Sequence, residues 1–293
     1  MYFDSHAHLV SADQAAYPPN PVSGKLTPGE FDDPMTVERL IAAMDAEGVA
    51  CACAVQRAHV YGYDNSYTLD SAARFPDRLR TVVVLNPLAP ETPAELRRLS
   101  SERGIAGVRF SAPSFPVAPL DWLTSDDAAL AWRAACDLGL PICVHVLHVQ
   151  RDVVLPALAQ RIAALPKATV VVDHVGGAHA AKVESLWLAS QAREAGEEFF
   201  APALVLADFP GVVMKFSDIN LEGSADPAGF VERIAALFGT ERMIWGSDIG
   251  QSRAPYAHMW ELARSGVSRL DPAARQALLY DNAARIYGNR LPR

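Results

Sequence analysis

Met1-Tyr2-Phe3-Asp4-Ser5-His6-Ala7-His8 opens the chain with a short β-rich run that ends in two imidazoles two positions apart. Side chains of an extended strand alternate between its faces, so His6 and His8 share one face; a helix would have needed a spacing of three or four. Seven further runs of the same character follow Tyr2–Ser5: Val49–Gln56, Arg80–Asn86, Ile105–Phe110, Ile142–Leu147, Thr169–Asp173, Val212–Phe216 and Met243–Gly246. Most are nearly continuous hydrophobic stretches, the pattern of strands buried on both faces. Helical periodicity fills the gaps. Val37, Leu40, Ile41 and Met44 stand at i, i+3, i+4 and i+7 with Gly48 at the stop position, and Leu155, Leu158, Ile162 and Leu165 repeat the pattern before Pro166. A helix should follow the Thr124-Ser125-Asp126-Asp127 cap, a longer one spans Glu184–Leu206, and the tail Pro272–Tyr287 supplies another.

Strands alternating with helices predict an α/β protein with a parallel sheet, and eight such units predict a single (β/α)8 TIM barrel over residues 1–293. No internal repeat or linker divides the chain. An open doubly wound sheet lacks its usual Gly-x-Gly-x-x-Gly turn here. The Pro- and Gly-rich stretch Val10–Pro34 is long for a loop in a compact domain, and such loops are functional lids or poorly ordered.

With 293 residues, half of them hydrophobic and a fifth charged, the chain can bury a sizeable core. A formal charge of −8 argues against a general binder of nucleic acid. The N-terminus lacks the pattern of a signal peptide and no segment has the uncharged apolar length of a membrane span, so the expected compartment is the cytoplasm. Cys51, Cys53, Cys136 and Cys143 lie in apolar surroundings and read as buried reduced thiols.

A (β/α)8 barrel builds its active site at the C-terminal ends of its strands. His6 and His8 end the first run, His145 lies near the end of the fifth, His174 follows the sixth and Asp248 follows the eighth. A lone strand histidine is more often a hydrogen-bonded core residue than a ligand. Several arriving from separate strands together with a carboxylate form a set of nitrogen and oxygen donors suited to zinc or a related divalent ion.

Phe3-Asp4-Ser5-His6-Ala7-His8, Val172-Asp173-His174-Val175-Gly176 and Trp245-Gly246-Ser247-Asp248 resemble the strand 1, 6 and 8 motifs of the amidohydrolase superfamily, most closely its amidohydrolase-related branch. Tyr63-Asp64-Asn65-Ser66, Gly107-Val108-Arg109-Phe110 and Asn282-Ala283-Ala284-Arg285-Ile286-Tyr287 extend the resemblance over nearly the whole chain. Within the branch the Asp-His-x-Gly and Gly-x-Arg-Phe segments look most like 2-pyrone-4,6-dicarboxylate lactonase and the related sugar lactonases. The pyrone enzymes carry an arginine where this chain reads Gly176-Gly177-Ala178, which argues against the same substrate. They also work without a metal and lack a strand-5 histidine, whereas His145 restores a ligand of the metal-dependent members.

The resemblance implies water-dependent opening of a small carboxylated lactone. Asp248 is the expected general base, His174, His6 and His8 act beside it, and one divalent metal, zinc by its donors, is held by His6, His8, His145, His174 and Asp248. Without the metal the histidines must polarise the carbonyl as hydrogen-bond donors. Arg109, Gln56, Arg57, Tyr61, Lys215 and Arg253 are the expected substrate contacts, and the cations among them point to a small anionic substrate. Arg109 has an equally weighted reading as a structural ion pair across the barrel. Asn65 reads first as a helix cap, and His148 is the rival to His145 if the register is one residue off. Two other readings stay open: metal-dependent decarboxylation of an aromatic or muconate-type acid on the same barrel, and a catalytically silent barrel that binds a small acid. A homodimer paired through the outer helices is also left open.

Overall fold

The computed structural model describes residues 1–111, 120–180, 201–252 and 254–288. Eight strands form a single parallel sheet in sequence order: β1 (Tyr2–His8), β2 (Val49–Val55), β3 (Leu79–Val84), β4 (Gly107–Phe110), β5 (Ile142–Val144), β6 (Val170–Val172), β7 (Val212–Ser217) and β8 (Met243–Gly246). Just beyond β8 the sheet reaches back to β1: Asp248 N donates to His6 O and His8 N donates to Ile249 O, both at 2.8 Å. The expected (β/α)8 barrel is therefore the observed one. No helix among the described residues is long and apolar enough to cross a membrane.

The apolar residues divide into two layers, as a barrel requires. Phe3, Cys53, Val55, Val82, Cys143, Val171, Val213 and Ile244 fill the interior with Tyr287, whose hydroxyl meets Cys143 Sγ at 3.3 Å. The other strand faces pack against the helices. Helix Val37–Glu47 is capped by the Thr36 side chain and stops at Gly48, where φ is +68°, and Ser125 caps Asp126–Asp137 through Ala128 N. The tail helix is continuous from Pro272 to Tyr287 but carries one wider turn at Ala277–Asp281. The helix expected over Glu184–Leu206 lies largely outside the described residues.

One irregularity decides where the site faces. Phe3 pairs with Cys51 and Asp4 with Ala52, whereas Ala7 pairs with Ala54 and His8 with Val55, so β1 holds one residue more than β2 between those pairs. Plain alternation from the inward Phe3 would have turned Ala7 in and His8 out. The bulge inverts the phase, so that Ala7 packs outward and His8 faces the interior beside Val55. Asp4 staples it. The buried carboxylate accepts from His6 N (3.0 Å), Ser247 N (2.8 Å), Ser247 Oγ (2.6 Å) and the Tyr256 hydroxyl (3.0 Å), tying β1 to the β8 end and to helix Tyr256–Gly266.

Asn65 departs from its expected role. It stands at the cap position of helix Ser66–Arg74, but its side chain makes no cap bond. It pairs instead with Val84, donating to the carbonyl at 3.0 Å and accepting from the N–H at 2.8 Å, because the end of β3 has unpaired backbone groups within reach. The stretch Val10–Pro34 is laid over the segment after β2: Asn20 N donates to Val60 O, Val22 N to Ala58 O, and Ser11 N to the Tyr61 hydroxyl.

Candidate active site

His6, His8, His174 and Asp248 meet at the mouth of the barrel. Asp248 Oδ1 lies 3.5 Å from His6 Nε2, 3.6 Å from His8 Nε2 and 3.9 Å from His174 Nε2. That oxygen is buried and has no hydrogen-bond partner. Burial, foremost, raises the Asp248 carboxyl to about 7; nearby Arg109 and Arg57 pull it down, and Asp173 and Asp218 push it up. Burial also holds His6 and His145 at about 3, helped by Lys215 in the first case and Arg109 in the second. His8 and His174 are held well below the ordinary imidazole range by the same burial and by His6. All four rings are neutral near pH 7.

Their neighbours fix which nitrogen carries the proton. His8 Nδ1 lies 2.8 Å from Val55 O, which can only accept, so Nδ1 is protonated and Nε2 presents a lone pair. The Ser217 hydroxyl donates to Asn220 Oδ1 and accepts from His174 Nδ1 at 2.6 Å, so His174 Nε2 is bare as well. Asn220 also donates to His174 O (2.8 Å) and Ala178 O (2.5 Å). This clamp holds a strained turn, since φ is positive at His174, Val175, Gly176 and Gly177. Asp248 is likewise left-handed at +63°, fixed by its N–H to His6 O and by its carbonyl, which accepts from Gln251 N and Ser252 N. His174, Val175 and Asp248 are the only non-glycine residues with positive φ among the described residues.

A charged layer lies directly beneath. Lys215, fully buried, pairs with Asp173 Oδ1 at 2.9 Å and reaches His6 Nδ1 at 3.2 Å. Arg109 Nε donates to Asp173 Oδ2 at 2.8 Å. Burial opposes the Asp173 charge, but Lys215 and Arg109 outweigh it and hold that carboxyl well below the usual range. The Lys215 ammonium places the His6 proton on Nε2, from where it donates to His8 Nε2 at 3.1 Å. Gly246 makes room for this stack, because a Cβ there would lie 2.5 Å from His6 Cβ and 2.9 Å from His6 N.

The cavity above these groups has a volume of about 160 Å³, and His8, Arg57, His59, Arg109, His145, His174, Asp248 and Gln251 are among its lining residues. His145 lies with its ring centroid 5.7 Å from His174, while His148 packs on His179 away from the cavity. Arg57 and Arg109 line the cavity, as expected of substrate contacts. Lys215 does not; it serves the layer below. Gln56 spends its amide on the carbonyls of Gly62 and Asp64, and the Tyr61 hydroxyl on Ser11 N, so neither lines the cavity. Arg253 lies outside the described residues. Sequence reasoning assigned no role to Asp173, Ser217 or Asn220. Asp173 carried a signal as the neighbour of His174, but the others carried none.

The arrangement fits a divalent ion. A tetrahedral ion with ligands at about 2.1 Å separates those ligands by about 3.4 Å, close to the spacings around Asp248 Oδ1. His174 and Asp248 present free donors, and His6 and His8 join them once the proton shared between their Nε2 atoms is displaced.

A parallel barrel with paired imidazoles on its first strand and a carboxylate after its last belongs to the class of (β/α)8 proteins that carry their polar site at the C-terminal strand ends. Within that class the chain belongs to the amidohydrolase family, whose model matches residues 3–289. It is similar to L-fucono-1,5-lactonase of Burkholderia ambifaria, at 26% identity over 195 residues; the match spans 65% of this chain and 61% of that protein. Among solved structures it is similar to a putative 2-pyrone-4,6-dicarboxylic acid hydrolase of Pseudomonas putida, with 25% identity, a TM-score of 0.73, and 99% and 98% of the two chains covered. A zinc-bound amidohydrolase of Burkholderia multivorans shares the fold at 23% identity and a TM-score of 0.75, with both chains fully covered.

Proposed function

We propose that this chain hydrolyses a small lactone, with Asp248 moving the proton. The observation that carries the reading is Asp248 Oδ1, a buried oxygen without a hydrogen-bond partner, on a carboxyl poised at about 7 and facing three imidazole nitrogens. The similarity to a lactonase supports the reaction class. Asp248 takes a proton from water as the water oxygen attacks the ring carbonyl. The tetrahedral intermediate then collapses with cleavage of the ring C–O bond, and Asp248 returns the proton to the departing alkoxide, leaving a hydroxy acid. Arg109, with Nε held by Asp173, is placed to meet the negative charge that develops on the carbonyl oxygen and remains on the product carboxylate.

The tautomers favour a metal-assisted site. Bare Nε2 atoms on His8 and His174 are acceptors, so these rings cannot polarise a carbonyl by donating to it. A divalent ion, zinc by the donor set, held by His6, His8, His174 and Asp248 would supply Lewis acidity and lower the pKa of a water towards neutrality. His6, His174 and Asp248 form the tightest group of donor atoms, His8 Nε2 stands 3.6 Å from Asp248 beside them, and His145 on the same cavity wall is left to meet the substrate. The anionic substrate inferred from cationic strand ends is narrowed here. Arg57 pairs with Glu30, and Arg109 and Lys215 share Asp173, so the carboxylate that matters is the one that the reaction makes.

Protein purified without a histidine tag should carry about one equivalent of a divalent ion by elemental analysis and should acidify solutions of small lactones. Release of carbon dioxide from aromatic acids, with no lactone opened, would replace this reading with decarboxylation.

A further inference from the structure

The 160 Å³ cavity over Asp248 has a larger neighbour at the barrel mouth. A cleft of about 760 Å³ lies between the Val10–Pro34 stretch and the turn after β8, and Arg57 and Gln251 line both spaces. At the junction Arg57 Nη2 meets Glu30 Oε1 at 2.8 Å and Oε2 at 3.1 Å, with the two side chains 7% and 6% exposed. One guanidinium nitrogen thus serves both carboxylate oxygens. Arg57 Nε is buried without any partner. A guanidinium has five N–H groups arranged to be shared, and a buried donor left unmade is costly, so the pair holds hydrogen-bonding capacity that the protein itself does not use.

Resting on the lactonase reading, we propose that this cleft is the second half of the substrate-binding site and that the Arg57–Glu30 pair selects a hydroxyl-bearing, uncharged substituent on the lactone ring. A hydroxyl both donates and accepts. It satisfies a guanidinium N–H and a carboxylate oxygen together and leaves the ion pair in place. A carboxylate on the substituent must instead compete with Glu30 for Arg57, against a wall that also carries Asp32 and Asp33, the latter paired to Arg39. The two wall arginines face three wall carboxylates, so a second negative charge is rejected.

The test compares three δ-lactones with the same ring, one unsubstituted, one carrying a hydroxymethyl group and one a carboxyl group, on wild type, Glu30→Gln and Arg57→Gln. The readout is the ratio of kcat/KM between lactones on one protein, so any loss of folded protein cancels. Wild type should prefer the hydroxymethyl lactone over both others by about tenfold, the effect of one charge-assisted hydrogen bond. Both variants should collapse that preference to within about twofold, mainly through KM. Glu30→Gln should also improve the carboxyl lactone relative to the unsubstituted one. The inference is overturned if wild type favours the carboxyl lactone, or if the variants leave the ratios unchanged. Failure of the lactonase reading looks different: wild type opens none of the three, and the subsite falls with it.

Discussion

Replacing Asp248 with Asn keeps its size and removes its proton-accepting oxygen. Turnover should fall by about 10³-fold, within the range for loss of a general acid–base, while the melting temperature should hold or rise because a buried carboxyl without a partner is gone. A variant with more than a tenth of wild-type activity sinks the assignment. In the metal-free protein the Asp248 carboxyl should lose its proton as pH rises through about 7, read as an infrared carboxylic-acid band that is absent from Asp248→Asn. Gly246→Ala tests the space rather than the chemistry. Its Cβ would press on His6, so activity should be lost together with about 1–3 kcal/mol of stability by urea denaturation. At this scale the sequence was most readable where a residue type has few other reasons to be present, as with His6, His8, His174 and Asp248. It was least readable for Glu30, whose importance comes from lying across from Arg57 in a loop without periodicity.

The elements show what spacing can and cannot say. That His6 and His8 share a face follows from strand geometry alone, but which face is a property of two strands, because the bulge is visible only in the register of β1 against β2. The Asp4 staple predicts a graded response. Tyr256→Phe removes one of four donors and should cost about 1 kcal/mol, whereas Asp4→Ala leaves His6 N and Ser247 N without that acceptor, and should cost several times more and abolish activity. Equal losses in the two variants, measured by urea unfolding, would show that the carboxylate does not hold the bulge. Lys215→Met should cost about 3–5 kcal/mol by stripping Asp173 of one of its two cations.

For the whole molecule, the eight-run count was enough to define the barrel, because a parallel strand buried on both faces has a hydrophobic signature of its own. Its buried imidazoles make it acid-sensitive. Unfolded, each titrates near 6.5; folded, burial keeps His6 and His145 near 3 and His8 and His174 well below 6.5. The stability that they contribute is present above about pH 6.5 and is lost as pH falls towards 3. Asp248 and Asp4, both raised by burial, act in the opposite sense, holding protons when folded that the unfolded chain has released. Four groups outweigh two, so the melting temperature of the metal-free protein should fall between pH 7 and pH 5. A flat or rising profile would contradict this balance.

The extra residue in β1 makes the strand behave like a reading frame. The same residues laid flat against β2 would be read one place out of step after Asp4, and both imidazoles would point at the helices. Deleting Ser5 removes the extra residue and the bulge together, so Ala7 and His8 keep their partners Ala54 and Val55 and both imidazoles still face the mouth. Deleting Ala7 instead sets the two imidazoles on opposite faces of the strand, so in this chain the place of a single-residue gap matters more than its size.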